Sequence, residues 1–329
     1  MRVLQCHDAT LDAALSAARP GDTIALALDS SHGTWQAAKR SGYRVAGWWQ
    51  AARDPEAANQ WPEWMHAPQH GEWLRRFPDI GLTHPAVVWP YIGLGTVAPY
   101  KHALERFVTA ASVAEVDTIY LADIQGPPMG CGCGNPACRS WDNAPGEKIA
   151  PSAYHHPEVL FPLRFFQEVK ARITDRRIIP VLCPECERGI LMDGVEDPDG
   201  PDGTDLCQGV LCMSPCSREF FPRLLAAFRE AADSIALVLT VDALCKNHPL
   251  FGEPRAWAKR AWRHYGSDLL PVVEPEDADA FPDALIAFAY DQSVEPRPRP
   301  AGYRPSEPPV ACGGSPSCDA ADSTEPTSQ

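Results

Sequence analysis

Short apolar runs of β type alternate with longer stretches whose apolar positions recur at helical spacing, and the alternation persists through most of the chain. Eight runs read as strands: Arg2–Cys6, Asp22–Leu28, Tyr43–Trp49, Ala86–Gly93, Asp117–Asp123, Arg177–Cys183, Ser234–Asp242 and Leu269–Pro275. Between and after them the periodicity predicts helices over Leu11–Ala18, Thr34–Arg40, Tyr100–Ala114, Pro157–Ile173, Ser217–Ala232, Pro254–His264 and Ala278–Tyr290. Several strands are apolar on both faces, the pattern of a parallel sheet covered by helices. Eight β/α units point to a (β/α)8 barrel over residues 1–293, with an open doubly wound sheet as the alternative. Residues 294–329 are rich in proline, serine and charge and poor in apolar positions, so a disordered tail is expected there.

Composition narrows the function. The net charge of −14 would repel phosphate backbones, which argues against a nucleic-acid partner. No apolar run reaches the roughly 18 residues of a membrane span, and the amino terminus lacks a basic start followed by an apolar stretch. A soluble, cytoplasmic protein with no membrane partner is the expectation.

In a reducing compartment, twelve cysteines are an excess, and clustered thiols there are more often ligands than disulfides. Eight of them form three groups: Cys131, Cys133 and Cys138; Cys183 and Cys186; and Cys207, Cys212 and Cys216. The groups fall in long loops, 124–156 and 183–216, that follow two successive predicted strands. In a barrel both loops emerge at the same face. Structural zinc held by thiolates is therefore expected, bracing polar, glycine-rich loops that have no core of their own. An iron–sulfur cluster would call for a C-x2-C-x2-C donor set, which is absent.

The carboxyl ends of barrel strands carry the chemistry. Here those ends offer carboxylates and tryptophans: Asp29 with His32, Trp48 and Trp49, Trp89, Asp123 with Gln125, Glu185, and Asp242. Paired carboxylates are the equipment of glycoside hydrolysis, and tryptophan faces suit sugar rings. Asp123, Glu185 and Asp242 are the candidate catalytic acids, with Glu185 the favoured partner of Asp123. Asp29, His32, Trp48, Trp49, Trp89, Gln125 and Trp141 are the candidate substrate contacts.

The run "WPEWMHAPQHGEWLRRFPD", the strand "AVVWPYIGLG", the helix "APYKHALERFVTAASVAEV" and then "DTIYLADIQGPPMGCGCGNPACRSWD" resemble glycoside-hydrolase-like barrels related to α-fucosidases and β-galactosidases. The resemblance covers about residues 43–145. It implies a carbohydrate substrate, Asp123 as the strand-end nucleophile, His70, Glu72 and Trp73 on an H-P-E-W element, and Cys131, Cys133 and Cys138 on a cysteine loop. Gly71 stands where that element has proline, and Thr118 where the strand has glycine. Two rival readings stay open. One is a non-catalytic carbohydrate-binding barrel. The other is a zinc-containing barrel like the tRNA-guanine transglycosylases, since "CGCGNPAC" followed by His155 or His156 is similar to their metal site. Against the latter stand the acidic charge and the lack of a basic docking patch.

Overall fold

The structure is a computed structural model that describes residues 2–65, 87–125, 157–183, 215–239, 259, 262–263, 265–290 and 297–300. In chain order its elements are β1 (Val3–Cys6), α1 (Leu11–Ala17), β2 (Thr23–Ala27), α2 (His32–Arg40), β3 (Arg44–Gln50), α3 (Pro55–Gln60), β4 (Val87–Val88), α4 (Val97–Val113), β5 (Thr118–Ala122), α5 (Pro157–Arg172), β6 (Arg177–Leu182), α6 (Pro215–Ala231), β7 (Ala236–Val238), β8 (Leu270–Val273), β9 (Leu285–Ala287) and β10 (Arg297–Pro298). Every one of these strands except β4 and β10 belongs to a single closed parallel barrel, ordered β1-β2-β3-β5-β6-β7-β8-β9, with β9 paired back onto β1. The fold is a (β/α)8 barrel.

Strand alternation divides the side chains into two layers. Val3, Ala25, Ala46, Trp48, Tyr120, Ala122, Ile179, Val181 and Leu285 point inward and form one buried cluster. The alanines leave the space that Trp48 and Tyr120 fill, the small-against-large packing a closed barrel requires. Residues of the opposite parity pack under the helices: Ile119, Leu121, Leu182 and Leu237 join Leu104 and Phe107 of α4, Phe165 and Phe166 of α5, and Phe228 of α6. Each such large apolar side chain withdrawn from water stabilises the fold by about 1.5–3 kcal/mol. Helix starts are fixed locally. Ser31 caps α2 by accepting from the Thr34 amide, and Asp54 caps α3 by accepting from the Ala57 amide, with Pro55 in the first turn.

Two predicted elements change identity. The run Ala86–Gly93 does not enter the barrel. Its core, β4, pairs antiparallel with β10, while Arg53 bridges to Tyr91 and Met65 to Ile92. It is apolar because it is buried against the outer layer in a long excursion between β3 and β5, not because it is a central strand. The eighth barrel strand is instead β9, inside the stretch read as a helix over Ala278–Tyr290. There the chain makes a 3-10 turn at Pro275–Ala280 and then extends. Pro282 and Asp283 separate the two and deny the segment a continuous helical ladder. Arg297–Pro298, assigned to the tail on sequence, forms β10, and Arg299 fastens it through the Asn59 and Val87 carbonyls at 2.5 and 3.0 Å. Among the described residues no helix is long and apolar enough to cross a membrane.

Candidate active site

Asp123 follows β5 immediately. Ala122 faces inward, so strict alternation would send Asp123 outward among the helices. Its backbone instead takes a left-handed conformation, φ 56°, the one such non-glycine residue among those described. Aspartate tolerates this region better than most side chains, yet the conformation costs about 1–3 kcal/mol and persists only where the surroundings fix it. The turn swings the carboxylate over the mouth of the barrel, where it is 5% exposed.

Two donors hold it there. Gln50 ends β3 on the inward face, in register with Ala122, and its Nε2 donates to Asp123 Oδ2 at 2.6 Å. The Tyr290 hydroxyl donates to Oδ1 at 2.7 Å. Tyr290 follows β9, which stands opposite β5 in the ring of eight, so this bond spans the mouth. The Tyr290 ring packs edge-on against Trp48, with centroids 5.0 Å apart. Burial first, then the neighbouring Asp123 and Cys183, hold the Tyr290 phenol well above the ordinary tyrosine range. It therefore stays a donor to Asp123.

Beside this pair, Gln125 joins β5 to β6. Its Oε1 accepts from the Cys183 amide at 2.7 Å and its Nε2 donates to the Cys183 carbonyl at 3.0 Å. This reciprocal pair ties together the ends of the described β5 and β6 segments, after which the cysteine-rich stretches of the sequence follow. Cys183 itself is half-buried against the inward cluster.

The structure brings Asp123, Gln125, Trp48 and Cys183 to one mouth. Of the other candidate tryptophans, the two among the described residues lie elsewhere. Trp49 faces the outer layer, 6.4 Å from Phe107 with the Arg106 guanidinium 4.9 Å over its ring, and Trp89 is buried in the same outer cluster. Trp48 is 2% exposed and packs against the Tyr290 ring. Trp48 packs in the alanine-rich interior, and Trp49 and Trp89 pack in the outer layer beneath the excursion between β3 and β5. Asp29 and His32 stand exposed at the rim beyond β2. Glu185, Asp242, Trp141, Cys131, Cys133, Cys138, Cys186, Cys207 and Cys212 lie outside the described residues, as do His70, Glu72 and Trp73, and Cys216 falls in the first turn of α6. Among the described residues no three His, Cys, Asp or Glu side chains gather as metal ligands would.

Gln50 and Tyr290 escaped the sequence reading. The alternation through Ala46 and Trp48 would have marked Gln50 as the inward polar end of β3. Nothing local marks Tyr290, because its partner is 167 residues away.

No known protein-family signature matches the chain, and no curated protein does. Among solved structures, the glycoside hydrolase domain of PelA from Pseudomonas aeruginosa is similar at 11% identity over 87% of this chain and 98% of that one, with a TM-score of 0.38. The PgaB (BpsB) glycoside hydrolase domain from Bordetella bronchiseptica is similar at 12% identity over 87% and 86%, with a TM-score of 0.43. Likenesses this remote carry no information about activity.

Proposed function

We propose that the protein hydrolyses a glycosidic bond, with Asp123 as the carboxylate that attacks the anomeric carbon. The observation that supports this reading most is the orientation of Asp123 itself. A left-handed turn aims the carboxylate into the mouth of a barrel, and donors from β3 and from beyond β9 fix both oxygens. A pre-aimed, hydrogen-bonded carboxylate of this kind is suited to displacing a leaving group at an acetal carbon. The leaving oxygen takes its proton from a second acid. In this reading Glu185, two residues past the described end of the β6 segment in sequence, is the favoured acid, with Asp242 the alternative. Water then hydrolyses the glycosyl ester and returns Asp123 to its ionised form. The clustered thiols between Cys131 and Cys216 hold zinc in this reading, because their segments follow adjacent strands already joined by Gln125. Elemental analysis should then find zinc at about one or two per chain, as all-thiolate sites require.

The deciding experiment is a screen of aryl glycosides followed by the Asp123→Asn variant. Asparagine keeps the shape and tolerates the left-handed backbone. Turnover should fall by about a thousandfold or more with the unfolding midpoint preserved. Unchanged turnover in the variant would remove Asp123 from the role. Sugar binding by the wild type without turnover would point to a non-catalytic barrel instead.

A further inference from the structure

Gln5 lies in β1 with its side chain turned into the barrel, level with Ala25 on one side and Ala287 on the other, and it is 1% exposed. A primary amide among valine, alanine and leucine is costly to bury unless it is bonded. The bonds it makes lie beyond the end of β9. The Gln5 carbonyl accepts from the Phe288 amide at 2.9 Å, extending the parallel ladder one step, and the Gln5 side-chain Oε1 accepts from the Ala289 amide at 2.9 Å. The side chain thus acts as an extra strand carbonyl, capturing the chain one residue before Tyr290. From that anchor the Tyr290 ring crosses the mouth, packs on Trp48 and reaches Asp123.

We infer that Gln5 is a positioning residue for Asp123, acting through Tyr290: its side-chain oxygen fixes where the chain leaves β9 and hence how far the phenol reaches across the mouth. The inference rests on the reading of Asp123 given above. The effect works through distance. Without the acceptor, the Ala289 amide is left unbonded beside an apolar interior and must move to find a partner. A shift of about 1 Å at the root of Tyr290 is enough to break a hydrogen bond formed at its tip, and misplacements of this size cost up to about a hundredfold in rate.

The test compares Gln5→Met, which keeps length and fills the space without an acceptor, with Gln5→Glu, which keeps the oxygen. Gln5→Met should lower kcat by about tenfold or more while KM moves by less than about twofold, and Gln5→Glu should restore most of the loss. In a Tyr290→Phe background, Gln5→Met should cost nothing further, because the two residues act through one bond. A readout free of catalysis runs beside it: the coupling between Tyr290→Phe and Asp123→Gly in the unfolding midpoint, measured with Gln5 in place and with Gln5→Met. The coupling should be present in the first and absent in the second. Additive losses of kcat, or a coupling that persists without Gln5, would overturn the inference. Full activity of Asp123→Asn together with a coupling that disappears in Gln5→Met would instead overturn the hydrolase reading and leave Gln5 as the determinant of Tyr290. An inactive Asp123→Asn with kcat and coupling indifferent to Gln5 would overturn the positioning role alone.

Discussion

Asp123 combines three properties that seldom meet in one side chain: a left-handed backbone, near-complete burial and donors on both oxygens. Hydrogen bonds to an ionised acceptor contribute about 1.5–3 kcal/mol each, so losing one should be visible in the rate. Tyr290→Phe removes the hydroxyl and keeps the ring on Trp48; kcat should drop by roughly 10–100-fold with little change in KM, measured on whichever aryl glycoside the wild type cleaves. Because the phenol is held above the ordinary tyrosine range, it remains a donor at neutral and mildly alkaline pH. Asp123 was legible from sequence as the acid closing an apolar strand. Its two donors were not, because they come from 73 and 167 residues away and only closure of the ring unites them.

Among the elements, the excursion between β3 and β5 is anchored by a polar centre inside an aromatic shell. Asp54 Oδ2 accepts from His102 Nε2 at 2.9 Å and Arg106 Nη1 at 2.5 Å, while Oδ1 accepts from the Ala57 amide at 2.9 Å. The His102 ring lies 5.6 Å from Trp61 and 5.4 Å from Trp64. Burial opposes ionisation of Asp54, but the His102 bond, the Arg106 charge and the Ala57 amide outweigh it, and its pKa is lowered. A carboxyl whose pKa falls on folding adds stability that is complete above its unfolded value of about 3.9 and is lost as pH drops through the folded value. Asp54→Ala should therefore cost about 1–3 kcal/mol at pH 7, the partners being partly exposed, and the gap to wild type should narrow below about pH 4 in denaturant titrations. A gap that widened on acidification would contradict this assignment. On the outer face of β3, a Cβ at Gly47 would stand 2.7 Å from Leu28 Cδ2 and 3.1 Å from Ile119 Cγ1. Gly47→Ala should consequently lower stability by about 1–3 kcal/mol, read from the unfolding midpoint. The same density of apolar residues explains why two elements exchanged identities between sequence and structure. The run around β4 looks like a central strand because it is buried on both faces, but it is buried by the excursion. The segment around β9 carries helical spacing in only three strand residues, too few for the period to be distinguished.

For the molecule as a whole, the barrel was readable because seven of its eight strands coincide with apolar runs bounded by helical patterns, and closure follows once an eighth is found. The site was less readable, since it depends on which strands face each other across the ring. In the proposed reaction the Asp123 carboxylate forms a bond to the anomeric carbon. Asp123→Gly, which suits the left-handed backbone, removes that carboxylate and leaves space for an external anion. With an aryl glycoside, this variant should be almost inactive in buffer. Added azide should restore turnover by about tenfold or more and yield a glycosyl azide of anomeric configuration opposite to the substrate. Undiminished hydrolysis by Asp123→Gly in the absence of azide would contradict the account.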